Sequence, residues 1–239
     1  MIYKNRKNKY LLKQIFNMPN YIRNIVRVVA EDANEVKKIF DSIRTEDIVI
    51  DFNNIIPCPE ALQELYSADL YAERVALWMC RDLMYPVQKK MIIQEFEDLK
   101  NKNIELLMQE AKSLLRNILE YGSSSGYRWC IENWGTKWNS FENEQKSENE
   151  ILFETAWNCP VKVLIALSKK YPIAKFECSF ADEDIAYNCG SFSIKDGEII
   201  EEYKPKGGSV EAYELAFQFW PERKEDYKLT ENGYKPIED

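Results

Sequence analysis

The sequence predicts an α+β protein with a split β-α-β antiparallel sheet, interrupted by a helical insertion. Three observations support this prediction. A strand–helix–strand pattern occurs twice, over residues 21–56 and 151–180. Between these patterns, the spacing of apolar residues changes at Pro59 from strand-like alternation to about 3.6 residues, and it changes back after Gly126. The dipeptide Asp196-Gly197 is typical of a type I′ turn and predicts an added C-terminal hairpin.

The first β-α-β unit is predicted from two β-branched runs around an amphipathic helix. Residues 21–30 form its first strand, and Ile48–Ile56 forms its second because β-branched residues favour strands. Acidic residues at 31 and 32 favour the start of a helix between the strands. Apolar side chains then follow at helical spacing, at Val36, Ile39, Phe40 and Ile43.

A helical insertion is predicted over residues 59–126. Apolar residues from Ile104 to Ile118 recur every three or four positions, and Gly122 is the expected C-terminal stop because glycine readily adopts the left-handed conformation. The predicted core is therefore discontinuous and comprises residues 18–58 and 127–239. Residues 1–17 are predicted to be a flexible basic arm.

The second β-α-β unit comprises the strand Ile151–Trp157, a helix from Pro160 to Tyr171 and the strand Ile173–Phe180. The hairpin follows, and Ser209 then caps a helix that ends at Phe219. Three segments are predicted to be irregular: an aromatic loop at 129–140, an acidic loop at 142–150 and a charged tail at 222–239. Right-handed crossovers place both helices on one face of the sheet, which is the ferredoxin-like arrangement.

Composition excludes several classes of function. The chain has 32 basic and 40 acidic residues, a net charge of −8, and no histidine, which excludes Ser-His-Asp and Cys-His catalysis. None of the six cysteines forms a C-x-x-C pair, so we expect no metal and no cofactor. The longest apolar run is too short to cross a membrane, and a signal peptide is absent, so we expect a cytoplasmic protein.

Charge is distributed unevenly along the chain. The first 17 residues contain five basic side chains and no acidic one: Lys4, Arg6, Lys7, Lys9 and Lys13. The remainder is strongly acidic and would repel a phosphate backbone. Nucleic acid is therefore a disfavoured partner, and the basic arm is the exception.

The most distinctive run is Trp134, Gly135, Thr136, Lys137, Trp138 and Asn139. Two roles are compatible with it. The loop could fold both indole rings over one end of the sheet, because large aromatic side chains are mostly buried. Alternatively, the rings could form a recognition surface, because tryptophan is enriched at interface hot spots. Burial favours a structural role for Trp134 and Trp138, with Lys137 nearer the solvent.

A second candidate site precedes the last predicted helix, at Lys204, Lys206, Gly207, Gly208 and Ser209. Glycines, lysines and free helix N–H groups can together hold an anion, although Gly-Gly-Ser is also an ordinary loop and N-cap. A third candidate is carboxylate chemistry, in which Asp182 and Asp184 with Asp51 would bind metal ions. Adjacent acids in a turn are usually only solvated, so this metalloenzyme hypothesis is remote.

Four motifs in series resemble a known family. They are Met18-Pro19-Asn20, Ile55-Ile56-Pro57-Cys58-Pro59-Glu60, the run from Glu132 to Asn139, and Phe153-Glu154-Thr155-Ala156-Trp157 with Pro160. The series resembles the YubB-type ferredoxin-like domain family of phage, plasmid and other mobile-element proteins, over residues 18–60 and 127–200. The resemblance implies a ferredoxin-like fold without an iron–sulfur cluster, and it carries over no catalytic residue. The mobile-element setting implies an accessory role, such as action against host defence.

The leading functional hypothesis is a non-enzymatic accessory protein that binds a host or phage protein through the aromatic run, the helical insertion or both. The alternative is a nucleic-acid or nucleotide-binding module that uses the basic arm with Trp134, Lys137 and Trp138. Exposure of the two tryptophan rings and the salt dependence of binding distinguish these hypotheses.

Overall fold

The computed structural model describes residues 19–64, 70–80 and 103–237, so the predicted basic arm lies outside the described residues. The chain divides into two compact units, one comprising residues up to Pro57 with Asn133–Asp239, and the other comprising Cys58–Glu132. The strands are β1 (Tyr21–Val29), β2 (Phe141–Ser147), β3 (Glu150–Ala156), β4 (Lys175–Asp182), β5 (Cys189–Lys195), β6 (Glu198–Tyr203), β7 (Tyr227–Thr230) and β8 (Gly233–Pro236). The helices are α1 (Ala33–Ile43), α2 (Glu60–Glu64), α3 (Leu70–Met79), α4 (Ile104–Tyr121), α5 (Gly126–Trp134), α6 (Val161–Lys170) and α7 (Val210–Phe219).

Six strands of the first unit form one antiparallel sheet in the order β2-β3-β1-β4-β5-β6. Both β3 and β4 pair with β1 in antiparallel orientation, so they run parallel to each other and α6 connects them around β1. Strands β1 and β2 both pair with β3 in antiparallel orientation, so they run parallel to each other on either side of it. Two β-α-β units thus interlock, and the predicted ferredoxin-like α+β fold is confirmed, with β5, β6 and α7 added at its end.

The predicted second strand, Ile48–Ile56, is wrong. Those residues form bends and a 3₁₀ helix at Phe52–Asn54. The strand that completes the first β-α-β unit is β2, which the sequence predicted as an acidic loop. As an outer strand with mostly exposed residues, β2 needs only backbone pairing with β3 and therefore carries no apolar alternation.

Burial alternates along the central strand and gives the sheet one buried face and one more open face. In β1, Ile22, Val26 and Val28 are buried, whereas Tyr21 is half-buried and Arg27 is exposed. On the buried side, α1 and α6 contribute apolar side chains at helical spacing: Val36, Ile39, Phe40, Ile43, Val163, Leu164 and Leu167. Alternation at a period of two is the expected pattern of a sheet packed on one side.

Helix α7 covers part of the open face and orders the C-terminal segment. Trp220 Nε1 donates to Ala181 O at 3.0 Å, and the Arg23 guanidinium lies 3.8 Å from the centre of the Trp220 ring. The charged tail predicted at 222–239 instead contains a 3₁₀ helix, Pro221–Asp226, and the β7-β8 hairpin. This segment is ordered because Tyr227 and Tyr234 pack against the rings of α7.

The second unit contains α2, α3, α4 and most of α5. Helices α3 and α4 pack through small and branched residues, including Ala72, Val75, Ala111 and Leu114. Helix α4 begins after Asn103, whose side chain accepts a hydrogen bond from Leu106 N, and Gly122 ends it at φ 72°. The predicted stop at Gly122 is therefore confirmed. None of the helices in the described ranges is long and apolar enough to cross a bilayer.

Candidate binding surface

Both predicted binding segments lie at the same end of the six-stranded sheet. Antiparallel pairing places the starts of β1, β2 and β5 and the ends of β3, β4 and β6 at this end. The run 134–139 leads into β2, and residues 204–209 follow β6. Because β2 and β6 are the outer strands, the two segments are attached to strands at opposite edges of the sheet.

Trp134 lies inside the first unit as the last residue of α5. Its side chain is only 3% exposed, and Nε1 donates to Ile56 O at 2.9 Å. Its ring meets Phe52 edge-on at a centroid distance of 5.6 Å. Gly135 then turns the chain at φ 82°, a conformation that glycine adopts without a Cβ clash. Trp134 therefore anchors the loop and presents no ring to a partner.

Thr136 and Asn139 are also committed to internal hydrogen bonds. Thr136 Oγ1 donates to Ala156 O at 2.7 Å, which ties the loop to the end of β3. Asn139 Nδ2 donates to Asp51 Oδ1 at 2.8 Å, and Asn139 Oδ1 accepts from Phe52 N at 2.9 Å. These bonds give the loop a fixed shape.

Lys137 and Trp138 lie at the surface of the same loop and are half-buried. The Lys137 ammonium is 4.1 Å from the centre of the Trp138 ring and 4.7 Å from that of Trp157, which are favourable cation–π distances. Partial burial lowers the pKa of Lys137. Trp138 also meets Phe141, whose ring contacts Tyr21 edge-on at 5.2 Å. We call Tyr21, Lys137, Trp138, Phe141 and Trp157 the aromatic cluster.

The sequence analysis placed Trp157 at the end of a strand and in one of the four family motifs, and it did not predict Trp157 as a binding residue. It is 38% exposed, and its backbone adopts the left-handed conformation at φ 73°. Its N–H donates to Asn20 O at 2.9 Å, and its carbonyl accepts from Asn188 Nδ2 at 3.2 Å. Glycine or asparagine usually occupies such a position, so no local sequence signal identifies this tryptophan.

The predicted anion site at 204–209 is largely occupied by its own groups. Ser209 caps α7 by accepting from Ala212 N, and Gly208 N donates to Ala186 O at 2.9 Å. Lys204 forms an ion pair with Glu202 at 2.7 Å. The Glu211 carboxylate accepts hydrogen bonds from its own backbone N–H and from Ser209, and these bonds lower its pKa. A negative charge from the chain itself therefore already lies at the positive N-terminus of α7. Anion binding here stays a prediction.

The acidic residues considered for metal chemistry have structural partners. Asp182 is buried, which raises its pKa, and it accepts from Asp184 N at 2.8 Å and Asn188 Nδ2 at 3.2 Å. Asp51 caps the 3₁₀ helix by accepting from Asn53 N. Within the described part of the chain, no three histidine, cysteine, aspartate or glutamate side chains are grouped to hold a metal ion.

Comparison with known proteins supports the ferredoxin-like assignment. Residues 133–221 match the family model described as the ferredoxin-like domain in Api92-like protein. No curated protein sequence matches the chain. Among solved structures, the crystal structure of the protein api92 from Yersinia pseudotuberculosis aligns at 8% identity with a TM-score of 0.40, covering 80% of this chain and 99% of that chain.

Proposed function

We propose that this chain is a non-enzymatic accessory protein that binds a protein partner through the aromatic cluster. The observation that carries the proposal is the position of the Lys137 ammonium between the rings of Trp138 and Trp157. Trp157 contributes an exposed indole on a backbone that bulky residues avoid. An unfavourable conformation kept at a surface is a recognised pointer to function.

The physical basis of binding is a rigid aromatic surface. The lysine holds two indole rings, and edge-on contacts extend the cluster through Phe141 to Tyr21. Side chains fixed before binding lose little conformational entropy when a partner arrives. Tryptophan and tyrosine also supply large contact areas with few rotatable bonds. These properties are typical of interface anchors.

A protein partner is favoured over nucleic acid by the surrounding charge. The net charge of the chain is −8, and the carboxylates of Glu183 and Glu154 contribute, after burial, to the raised pKa of Tyr21 within the cluster. Trp134, which the nucleic-acid hypothesis also used, is buried. The second hypothesis is nucleic-acid binding by base stacking. It is supported by the Lys137 ammonium beside the Trp138 ring, because proteins that bind single strands commonly combine basic and aromatic side chains.

The biological setting forms part of the proposal. We propose a cytoplasmic protein of a phage or other mobile element, acting on a host or phage protein and directed against host defence. This setting is supported by the resemblance of the four sequence motifs to the YubB-type family. It adds no residue to the binding surface.

The test compares Trp157→Gly with the intact chain. Glycine adopts a positive φ without strain, so this variant removes the ring and keeps the backbone conformation. Immobilised proteins are exposed to extract of the natural host, with and without nuclease treatment, and bound proteins are quantified by mass spectrometry. The matched control is Ile173→Ala, because Ile173 is 68% exposed and precedes β4 at the opposite end of the sheet.

The amount of a specific partner that is bound should fall by about tenfold or more with Trp157→Gly and should be unchanged with Ile173→Ala. Equal retention by all three proteins would contradict the proposal. Binding that disappears on nuclease treatment, with a steep dependence on salt, would instead support the nucleic-acid hypothesis.

A further inference from the structure

The two outer strands of the six-stranded sheet differ in the apolar side chains that they expose. In β2, the only apolar residue is the half-buried Phe141, and two register shifts interrupt its pairing with β3. Charges and bulges are the usual means by which an edge strand avoids pairing with another chain. Strand β6 also contains three glutamates, and one register shift interrupts its pairing with β5, but all six of its residues are exposed, including Ile199 at 42%, Ile200 at 51% and Tyr203 at 51%.

A groove on the open face of the sheet reaches this second edge. Its volume is about 430 Å³, and β6 contributes Glu201, Glu202 and Tyr203 to its lining. Ser179 and Ser191, on β4 and β5, belong to the same lining. An extended peptide added to an edge strand gains backbone hydrogen bonds from the edge and places alternate side chains in such a groove.

The pairing register assigns different chemistry to the two faces of β6. Glu201 and Tyr203 pair with Ser193 and Ser191 and share the groove face. Ile199 instead pairs with Ile194, which is buried on the opposite face. A strand added beside β6 would thus meet a carboxylate and a phenol on one face and an isoleucine on the other.

We propose that β6 binds an extended segment of a protein partner by strand addition, and that this segment alternates basic and apolar residues. Basic side chains would face Glu201, whose side chain is 71% exposed although its carboxylate accepts from Ser193 Oγ at 3.1 Å and lies 3.9 Å from Lys175 Nζ. Apolar side chains would lie beside Ile199. A second copy of this chain is a poor occupant, because each β6 carries Glu198, Glu201 and Glu202 and pairing two would bring six carboxylates together. This surface is separate from the aromatic cluster.

The probe is a fluorescein-labelled heptapeptide of alternating lysine and valine, compared with a heptapeptide of alternating glutamate and valine. Fluorescence anisotropy measures binding, and amide hydrogen exchange measures protection of residues 198–203. Glu201→Lys reverses the charge at an exposed site of β6. Glu144→Lys makes the same change on β2 and is the matched control. Circular dichroism checks that both variants fold.

We expect saturable binding of the basic peptide only, slower exchange in β6, and at least about tenfold weaker binding by Glu201→Lys with no change for Glu144→Lys. No saturable binding, equal binding of both peptides, or protection at 141–147 in place of 198–203 would overturn the proposal. A concentration-dependent dimer that protects β6 without peptide would also overturn it. Trp157→Gly should bind the peptide normally, so failure here is distinguishable from failure of the proposed function.

Discussion

Two tryptophans four residues apart in the same run have different surroundings. Trp134 is buried against Phe52 and donates a hydrogen bond to Ile56 O, whereas Trp138 is half-buried beside the Lys137 ammonium. We expect Trp134→Ala to lower the free energy of unfolding by about 3–5 kcal/mol, because it leaves a large cavity and removes a hydrogen bond. The urea midpoint at unchanged slope measures this loss.

Lys137→Ala is the matching surface change. A partly exposed cation–π contact contributes about 0.5–1 kcal/mol, so the urea midpoint should shift only slightly. Binding of the protein partner should weaken, because the two rings lose the cation that holds them. If Trp134→Ala proved as stable as the intact chain, Trp134 would not anchor the loop as described.

Burial of the Cys130 thiol leads to a pH prediction. Desolvation, with a smaller contribution from Cys58, raises the pKa of Cys130 from 9.0 to about 12. A raised folded-state pKa means that the contribution to stability is complete below pH 9 and is lost as pH rises towards 12. The urea midpoint should therefore decrease as the pH is raised from 9 to 12, and it should decrease less steeply in Cys130→Ala. Equal slopes for the two proteins would show that other groups cause the fall.

At the scale of elements, the sequence predicted five of the six main-sheet strands and both flanking helices. Most of them carry an apolar period, and the Asp196-Gly197 turn indicates the hairpin that contains the exposed strand β6. It failed for Ile48–Ile56, where Ile50 and Phe52 are fully buried without belonging to a strand. Their amides bond to the side chains of Asn143 and Asn139, at 3.2 and 2.9 Å. A run of β-branched residues indicates burial. It does not distinguish a strand in a sheet from an irregular segment whose backbone amides bond to distant side chains.

Asn139→Ala tests this account of the 48–56 segment. The change removes the acceptor for the buried amide of Phe52, and a buried polar group left unpaired costs about 1–3 kcal/mol. It also removes one of the donors to Asp51, which still accepts from Asn53 N. We expect faster amide exchange at residues 50–54, with β1 and β3 unaffected. Asn143→Ala, which should affect mainly the amide of Ile50, is the control. Unchanged exchange at Phe52 would contradict the role given to Asn139.

At the scale of the whole chain, the ferredoxin-like arrangement could be predicted because right-handed crossovers allow few topologies. The predicted place of the helical insertion is wrong, because the insertion precedes β2 and therefore lies within the first β-α-β unit and not between the two units. The candidate surface could be predicted only in part. Lys137 and Trp138 are adjacent in a distinctive run, but Trp157 joins them from the far end of β3 through a left-handed backbone that its sequence does not indicate. Tertiary pairing creates the cluster, so the run 134–139 alone identifies two of its five residues.

Site-specific photo-crosslinking from position 157 shows whether the aromatic cluster contacts a protein. Photoreactive benzoylphenylalanine replaces Trp157 in one protein and, as the control, Ile173 in another, and each is irradiated in extract of the natural host. We expect a discrete adduct from position 157 that protease removes and nuclease does not, and no adduct from position 173. No adduct from position 157, the same adduct from both positions, or an adduct removed by nuclease would contradict this prediction.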